Sequence, residues 1–338
     1  MDARLHDWLL ETWYGDTRRG RWLLPLARLY QALASLRRTV YRLGWLEAYH
    51  SRRLVVVVGN LTVGGTGKTP LVIWLAEALR ARGLNVGIAT RGYGAAEAGA
   101  RRVGLKDDVA AVGDEARMLR RRLDLPIVVG ADRAQAVRLL ERNSEVIVCD
   151  DGLQHPGLVP DFEIAVIDGV RGFGNGYLLP AGPLREKPER LDTVDAVVVN
   201  GAGFEWPGAI AMKLVPVEVV SLDRLKRRPL ADFSGQAVIA VAAIGHPKRF
   251  FELLRAHGLA VEERPLRDHA TPTPEQAGAG KGRPVLMTEK DAVKCTGAGW
   301  TDAWYLEVEV RIEGAAADRL IEHVATAAAA RLQGAPPT

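Results

Sequence analysis

A chain of 338 residues, 48% of them apolar and 25% charged, is long enough for two cores and reads as an ordinary soluble globular protein. Lysine and arginine outnumber aspartate and glutamate by 45 to 41, an excess that suits anionic ligands, anionic lipid or nucleic acid without choosing among them. Cys149 and Cys295 lie far apart without CxxC spacing, which excludes a disulfide framework or cysteine zinc site and favours a reducing cytosol; no signal peptide and no apolar run of roughly 20 residues is present.

Residues 1–50 hold about half of the tryptophan and tyrosine, including Trp8, Trp13, Trp22 and Trp45. Leu26, Leu29, Tyr30, Leu33, Leu36, Val40 and Leu43 recur at helical spacing, with Arg28, Arg38 and Arg42 on the other side and Arg37 on the apolar edge. Such a stripe with interfacial aromatics suits a helix lying in a membrane surface; an amphipathic helix packed on its own domain has the same pattern.

Val55–Leu75, VVVVGNLTVGGTGKTPLVIWL, is the stretch around which the rest is placed. Four consecutive valines predict a strand buried on both faces. Gly64, Gly65, Thr66 and Gly67 then offer backbone N–H groups to phosphate, Lys68 a point charge, Thr69 a hydroxyl for Mg²⁺, and Pro70 starts a helix whose positive end faces the same anion. The loop departs from G-x-x-x-x-G-K-[ST], because Thr62 stands at the first glycine; Val63 replaces the signature lysine of deviant switch ATPases. It is a P-loop for nucleotide phosphate, with the class left open.

Asn85–Thr90 predicts a second strand, ending in Arg91-Gly92-Tyr93-Gly94 at the edge where open α/β sheets bind ligands. Val112-Gly113-Asp114-Glu115 opens a helix to Leu123, where Asp114 is a candidate cap or a candidate base. Leu125–Val129 predicts a strand and Asp132–Arg142 a helix; Glu145–Asp151 is a buried strand whose terminal Asp150 and Asp151 are candidate Mg²⁺ carboxylates, followed by Gln154 and His155. After the strand Phe162–Asp168, a long Gly/Pro-rich connection carries Arg171, Arg185, Glu186 and Lys187, and Ala196–Asn200 closes the first sheet. Met212–Leu222 is extended but interrupted by Pro216, which predicts an edge or connecting strand, paired with the alternating segment Trp304–Ile312. Between them a smaller unit holds strands Val238–Ile244 and Val285–Met287, a helix Pro247–His257, and the polar groups Asp268-His269 and Thr288-Glu289-Lys290-Asp291; Ala315–Leu332 is a helix with a loose GAPPT tail.

The expectation is an α/β fold: a P-loop NTPase-like core (51–211) with a mostly parallel sheet covered by helices, and a smaller α/β domain (223–302). A two-stranded linker (212–222 and 303–312) joins them, with an amphipathic segment (1–50) before and a helix and tail (313–338) after.

Taken together, GNLTVGGTGKTP, TRGYG, GDE, DDGLQH, RGFGNGYLLPAGPLRE, DH and MTEKDAVK, in this order over nearly the whole chain, resemble the tetraacyldisaccharide 4′-kinases of lipid A biosynthesis. The resemblance implies transfer of the ATP γ-phosphate, with Mg²⁺, to the 4′-hydroxyl of a tetraacyldisaccharide 1-phosphate. It further implies a monomer lying peripherally on the anionic cytoplasmic face of the bacterial inner membrane, with no nucleic-acid partner. Asp114 matches the family's base and His269 its partner; Lys68 stabilises phosphate charge, Thr69 and Asp151 or Asp150 hold the metal, and Glu115 and Glu186 are further metal-side candidates. Arg91, Arg171 and Arg185 are candidates for the lipid phosphate or the nucleotide. Two departures are visible, Asp268-His269-Ala270 where members often carry DHH and Arg185-Glu186-Lys187-Pro188 where they carry REP. A deviant P-loop switch ATPase acting on a membrane or nucleic-acid partner is the alternative reading of the loop alone.

Overall fold

The computed structural model describes residues 3–15, 18–92 and 99–333. Tyr93 and Gly94 of the second-strand motif and the GAPPT tail lie outside the described residues.

The strands, in chain order, begin with β1 Tyr49–His50, β2 Leu54–Gly59, β3 Val86–Thr90, β4 Arg101–Arg102 and β5 Ile127–Val129. Next come β6 Val146–Asp150, β7 Leu158–Val159, β8 Phe162–Asp168, β9 Ala196–Asn200 and β10 Ile210–Ser221. The last are β11 Arg227–Arg228, β12 Ala237–Ala242, β13 Ala260–Pro265, β14 Val285–Thr288 and β15 Ala303–Ile312. Apart from the small β1–β7 pair, they form one 13-stranded sheet in the order β13-β12-β14-β15-β10-β9-β8-β2-β6-β3-β5-β4, with β11 on β10.

The sheet does not close at β9, as the sequence leads one to expect. β10 continues it by pairing parallel to β9, Ile210 opposite Val198, and then antiparallel to β15 from Met212↔Ile312 to Ser221↔Trp304. Pro216 falls where β10 connects the two halves of the sheet and is paired with β15 alone, as an edge or connecting strand should be. The register shifts between Pro216 and Val219, and β9 meets β10 only at residues 210–212, so the missing N–H interrupts little of the ladder.

The valine run is explained by what lies on each side. Val56 and Val58 pack against Leu71, Leu75 and Leu79 of the helix Lys68–Ala81, while Val55 and Val57 face Val137 and Leu140 of the helix Arg133–Leu140. Each such side chain contributes about 1.5–3 kcal/mol relative to exposure, which fixes the strand centrally. The C-terminal helix Ala315–Leu332 returns to this core through Leu320, Ile321, Val324 and Ala328. In the smaller unit, Val238 and Ala240 of β12 pack against Phe250, Phe251 and Leu254 of the helix Pro247–Ala256, while Ile239 and Val241 face Met287 and Tyr305.

The helix Leu24–Arg42 does not use its leucines to pack. Leu26, Leu29, Leu33 and Leu36 are 52–61% exposed, and Trp22 and Trp45 are 90% and 75% exposed. Its other flank docks: Ala27 is buried, the Tyr30 hydroxyl donates to the Arg185 carbonyl at 3.1 Å, and Arg38 pairs with Glu186 at 2.5 Å. The preceding helix, Ala3–Tyr14, is anchored by Trp13, whose indole N–H donates to the Pro180 carbonyl at 3.0 Å. No described helix is long and apolar enough to cross a membrane.

Candidate active site

The glycine-rich turn leaves β2 and enters the helix Lys68–Ala81 as its sequence demands. Gly67 stands at the helix start with φ +95°, and a Cβ there would lie 2.3 Å from the Asn200 amide nitrogen, so only glycine fits. Asn200, fully buried at the end of β9, donates to the Thr66 carbonyl at 2.9 Å. Lys68 Nζ lies 3.6 Å from Asp151.

At the end of β6 the two adjacent aspartates differ. The Thr69 hydroxyl donates to Asp150 Oδ2 at 3.0 Å, while Oδ1 of the buried Asp150 has no hydrogen-bond partner among the described residues. Burial above all, and then Glu115, pushes the Asp150 carboxyl up to about 7. Asp151, at φ +56°, faces Lys68 and receives Arg185 at 2.8 Å; burial alone would raise its pKa, but Lys68, Arg185 and Arg133 outweigh it and the carboxyl titrates low. Arg133, a fully buried arginine, secures this corner by donating to the Asp150 carbonyl at 2.9 Å and the Gly130 carbonyl at 2.7 Å.

A hard cation suits the Thr69–Asp150 pair. Mg²⁺ takes one or two protein oxygens and completes its octahedron with phosphate oxygens and water, and the orphaned Asp150 oxygen supplies such a donor. No cluster of three or more His, Cys, Asp or Glu side chains able to hold a metal by themselves exists among the described residues.

Opposite the loop, the smaller unit contributes His269. Its Nδ1 lies 2.8 Å from Asp114 Oδ2, across 155 positions of sequence. Asp114 is the first residue of the helix Asp114–Arg122, and its Oδ1 accepts the Glu115 N–H at 2.8 Å, so one carboxylate serves both the helix end and the histidine. Burial raises its pKa, yet the His269 hydrogen bond, Lys290 and Lys294 reverse that, and the net shift is downward. His269 has φ +62°, uncommon for a residue with a Cβ, and its N–H is held by the Ala243 carbonyl at 3.2 Å. Lys290, from the short helix Glu289–Ala292, reaches Glu115 at 3.1 Å and stands 3.9 Å from both Asp114 and Asp268.

The pair meets the loop through Gly245. A Cβ on Gly245 would lie 2.9 Å from the Gly65 nitrogen and 3.4 Å from Asp268 Oδ2, so the smaller unit rests directly on the glycine-rich turn. Arg171 joins the same contact, donating to the Gly245 carbonyl at 3.0 Å while its guanidinium lies over the Tyr14 ring.

Most of the expected site residues are therefore gathered, and some are directed elsewhere. Glu115 is held by Lys290, and its charge still acts on Asp150. Glu186, a further metal-side candidate, is engaged by other groups: its oxygens accept from Arg38 of the N-terminal helix and from Gln154 at 2.9 Å. Arg185 reaches Asp151, Arg171 is committed to Gly245 and Tyr14, and Arg91 is exposed at the end of β3. The His155 ring Nε2 lies 3.1 Å from the Ala131 carbonyl, a contact outside the paired acids and the glycine-rich turn. Sequence reasoning missed Asn200, Arg133, Asp168 and Arg249 entirely. For Lys290 and Lys294 there was a signal, two lysines one helical turn apart in MTEKDAVK.

A mainly parallel α/β sheet with a glycine-rich Lys-Thr turn at its carboxyl edge, a paired acid and histidine facing it, and charge poised for phosphate defines a kinase. The chain belongs to the tetraacyldisaccharide-1-P 4′-kinase family, whose model matches residues 19–325. It is 45% identical over 305 residues to the tetraacyldisaccharide 4′-kinase of Pseudomonas aeruginosa (strain LESB58), spanning 89% of this chain and 92% of that protein. Its fold is similar to the crystal structure of LpxK from Aquifex aeolicus in complex with ATP, with a TM-score of 0.73 and 29% identity over 90% of this chain and 99% of the other.

Proposed function

We propose that this kinase transfers the γ-phosphoryl group of ATP to the 4′-hydroxyl of a tetraacyldisaccharide 1-phosphate at the surface of the bacterial inner membrane. A bond forms between the sugar oxygen and phosphorus, the bond from phosphorus to the bridging β-phosphate oxygen breaks, and the hydroxyl proton passes to the protein. The observation that carries the reading is the Asp114–His269 pair, closed across the two units beside Gly245 and the glycine-rich turn.

The core is read as P-loop type. Backbone N–H groups of residues 64–69 and the Lys68 ammonium bind and orient the phosphates, and Thr69 and Asp150 are the residues that would hold Mg²⁺. When bound, that ion neutralises charge on the transferring phosphate. Asp114 and His269 take the proton as a unit, a contribution of about 10² to 10⁴-fold for an oriented base. Asp151 holds Lys68 and Arg185 in place for the anions.

The acceptor reaches the site from the N-terminal helix. Between Leu24–Arg42 and residues 185–193 lies a groove of about 790 Å³ whose charged lining, Arg38, Arg42, Arg185, Lys187 and Arg190 with Glu186 and Glu189, is basic on balance. Its basic lining suits a phosphorylated sugar, and Arg185 links it to Asp151. The uncovered leucine stripe supports a peripheral, interfacial position, since lipid chains are costly to withdraw from the bilayer at about 0.8 kcal/mol per CH₂. ATP turnover measured with and without micellar tetraacyldisaccharide 1-phosphate tests the reading: turnover should depend on the lipid, and a rate indifferent to it would favour the switch-ATPase alternative.

A further inference from the structure

One polar cluster takes no part in the chemistry above. Asp168 ends β8 and is only 2% exposed. Its Oδ1 accepts the Val170 and Arg171 N–H groups at 2.9 and 3.2 Å, closing its own turn. Its Oδ2 faces the smaller unit instead, with His246 Nδ1 at 3.5 Å and Arg249 Nη1 at 3.6 Å. The other arm of Arg249 donates to Asn200 Oδ1 at 2.5 Å, and Asn200 Nδ2 donates to the Thr66 carbonyl.

We propose that Asp168, Arg249 and Asn200 form a relay that ties the conformation of the glycine-rich loop to the approach of the smaller unit, and so to the assembly of the Asp114–His269 pair. The inference rests on the kinase reading and adds to it a coupling between donor binding and acceptor activation. An amide has a donor end and an acceptor end, so Arg249, by taking the acceptor end of Asn200, turns the donor end toward Thr66. Asn200 in turn fills the space a Cβ on Gly67 would need, so movement of the loop cannot leave the amide undisturbed. On the far side, Arg249 sits three residues beyond His246 and four beyond Gly245, the residue that rests on Gly65. A planar guanidinium can serve two partners at once: here it hydrogen-bonds the Asn200 amide and makes a longer ion pair, at 3.6 Å and without a hydrogen bond, with the buried Asp168 carboxylate, both on the core. Simple adhesion between the units would require only the charge. The relay requires the directed hydrogen bond to Asn200 as well as that charge, and Arg249 is a positioning residue within it.

Arg249→Ala and Arg249→Lys separate the two, being changes on a half-buried helix face rather than in the core. With lipid acceptor, both should lower kcat between about tenfold and a hundredfold with little change in the KM for ATP, and lysine should fail to restore the rate. A second readout is independent of the lipid. Spin labels on cysteines placed at the exposed Lys106 and Glu252, with Cys149 and Cys295 buried, report the distance between core and smaller unit. A non-hydrolysable ATP analogue should narrow that distribution in the parent and leave it broad in Arg249→Ala. Full rate in Arg249→Lys, or equal narrowing in parent and Arg249→Ala, overturns the relay. A parent that narrows with nucleotide but phosphorylates no lipid overturns the kinase reading and leaves the relay standing.

Discussion

Asp150 and Asp151 are chain neighbours whose carboxyls are shifted in opposite directions, and the difference assigns their work. The Asp150 carboxyl, raised to about 7 by burial, is a poor free anion and a good cation ligand. Because its folded pKa lies above the unfolded value, its ionisation costs folding stability, and that loss develops as pH rises from about 4 through about 7. A bound cation relieves it. In the ADP-bound enzyme, Mg²⁺ should therefore raise Tm more at pH 8 than at pH 6, and Asp150→Asn should remove the difference in a thermal-shift series; an equal rise in Asp150→Asn would show that the ion binds elsewhere. For the opposing pair, Asp114→Asn and His269→Ala should each lower kcat by about 10² to 10³-fold with ATP affinity kept within about threefold. Full turnover in either, measured by initial rates, would remove that residue from the chemistry.

Among the elements, the helix Leu24–Arg42 has two faces with separate duties. Deleting it would strip Tyr30 and Arg38 from Arg185 and Glu186, so loss of activity after truncation would not isolate membrane contact. Leu33→Glu with Leu36→Glu changes only exposed positions. That variant should sediment markedly less with anionic vesicles while keeping its Tm, whereas undiminished sedimentation would assign the stripe another use. Gly245 marks the other decisive junction. Gly245→Val places atoms where Gly65 and Asp268 stand and should lower kcat by at least about tenfold; an unaltered rate would mean that the units need not touch for turnover.

Legibility in the sequence followed the same division between local and distant chemistry. β2, its turn and the following helix were readable because period, glycine placement and Lys-Thr order are properties of adjacent residues. β13 was not, since Glu262, Glu263 and Arg264 make it a charged edge strand with no apolar alternation. Pro216 marked a connecting strand correctly, while the register shift beside it is invisible in a sequence. The partner of Glu186, Arg38, lies 148 positions away, a contact that no local pattern shows. Asn200 and Arg249 lacked any local sign, as each acquires meaning only when β9 and the helix Pro247–Ala256 meet.

For the whole molecule, one sheet carries the glycine-rich turn on β2, the paired acids on β6 and, beyond the β10–β15 crossing, the unit that brings His269. That continuity lets the two units approach without separate docking partners, and it makes the reaction a property of both. The reaction delivers phosphate from ATP to the lipid sugar. It is tested most directly by incubating the intact chain with MgATP and tetraacyldisaccharide 1-phosphate and locating the new phosphate by NMR of the recovered lipid. The recovered lipid should carry a second phosphate, on the 4′-oxygen. ATP consumed while the lipid returns with its single phosphate would contradict it.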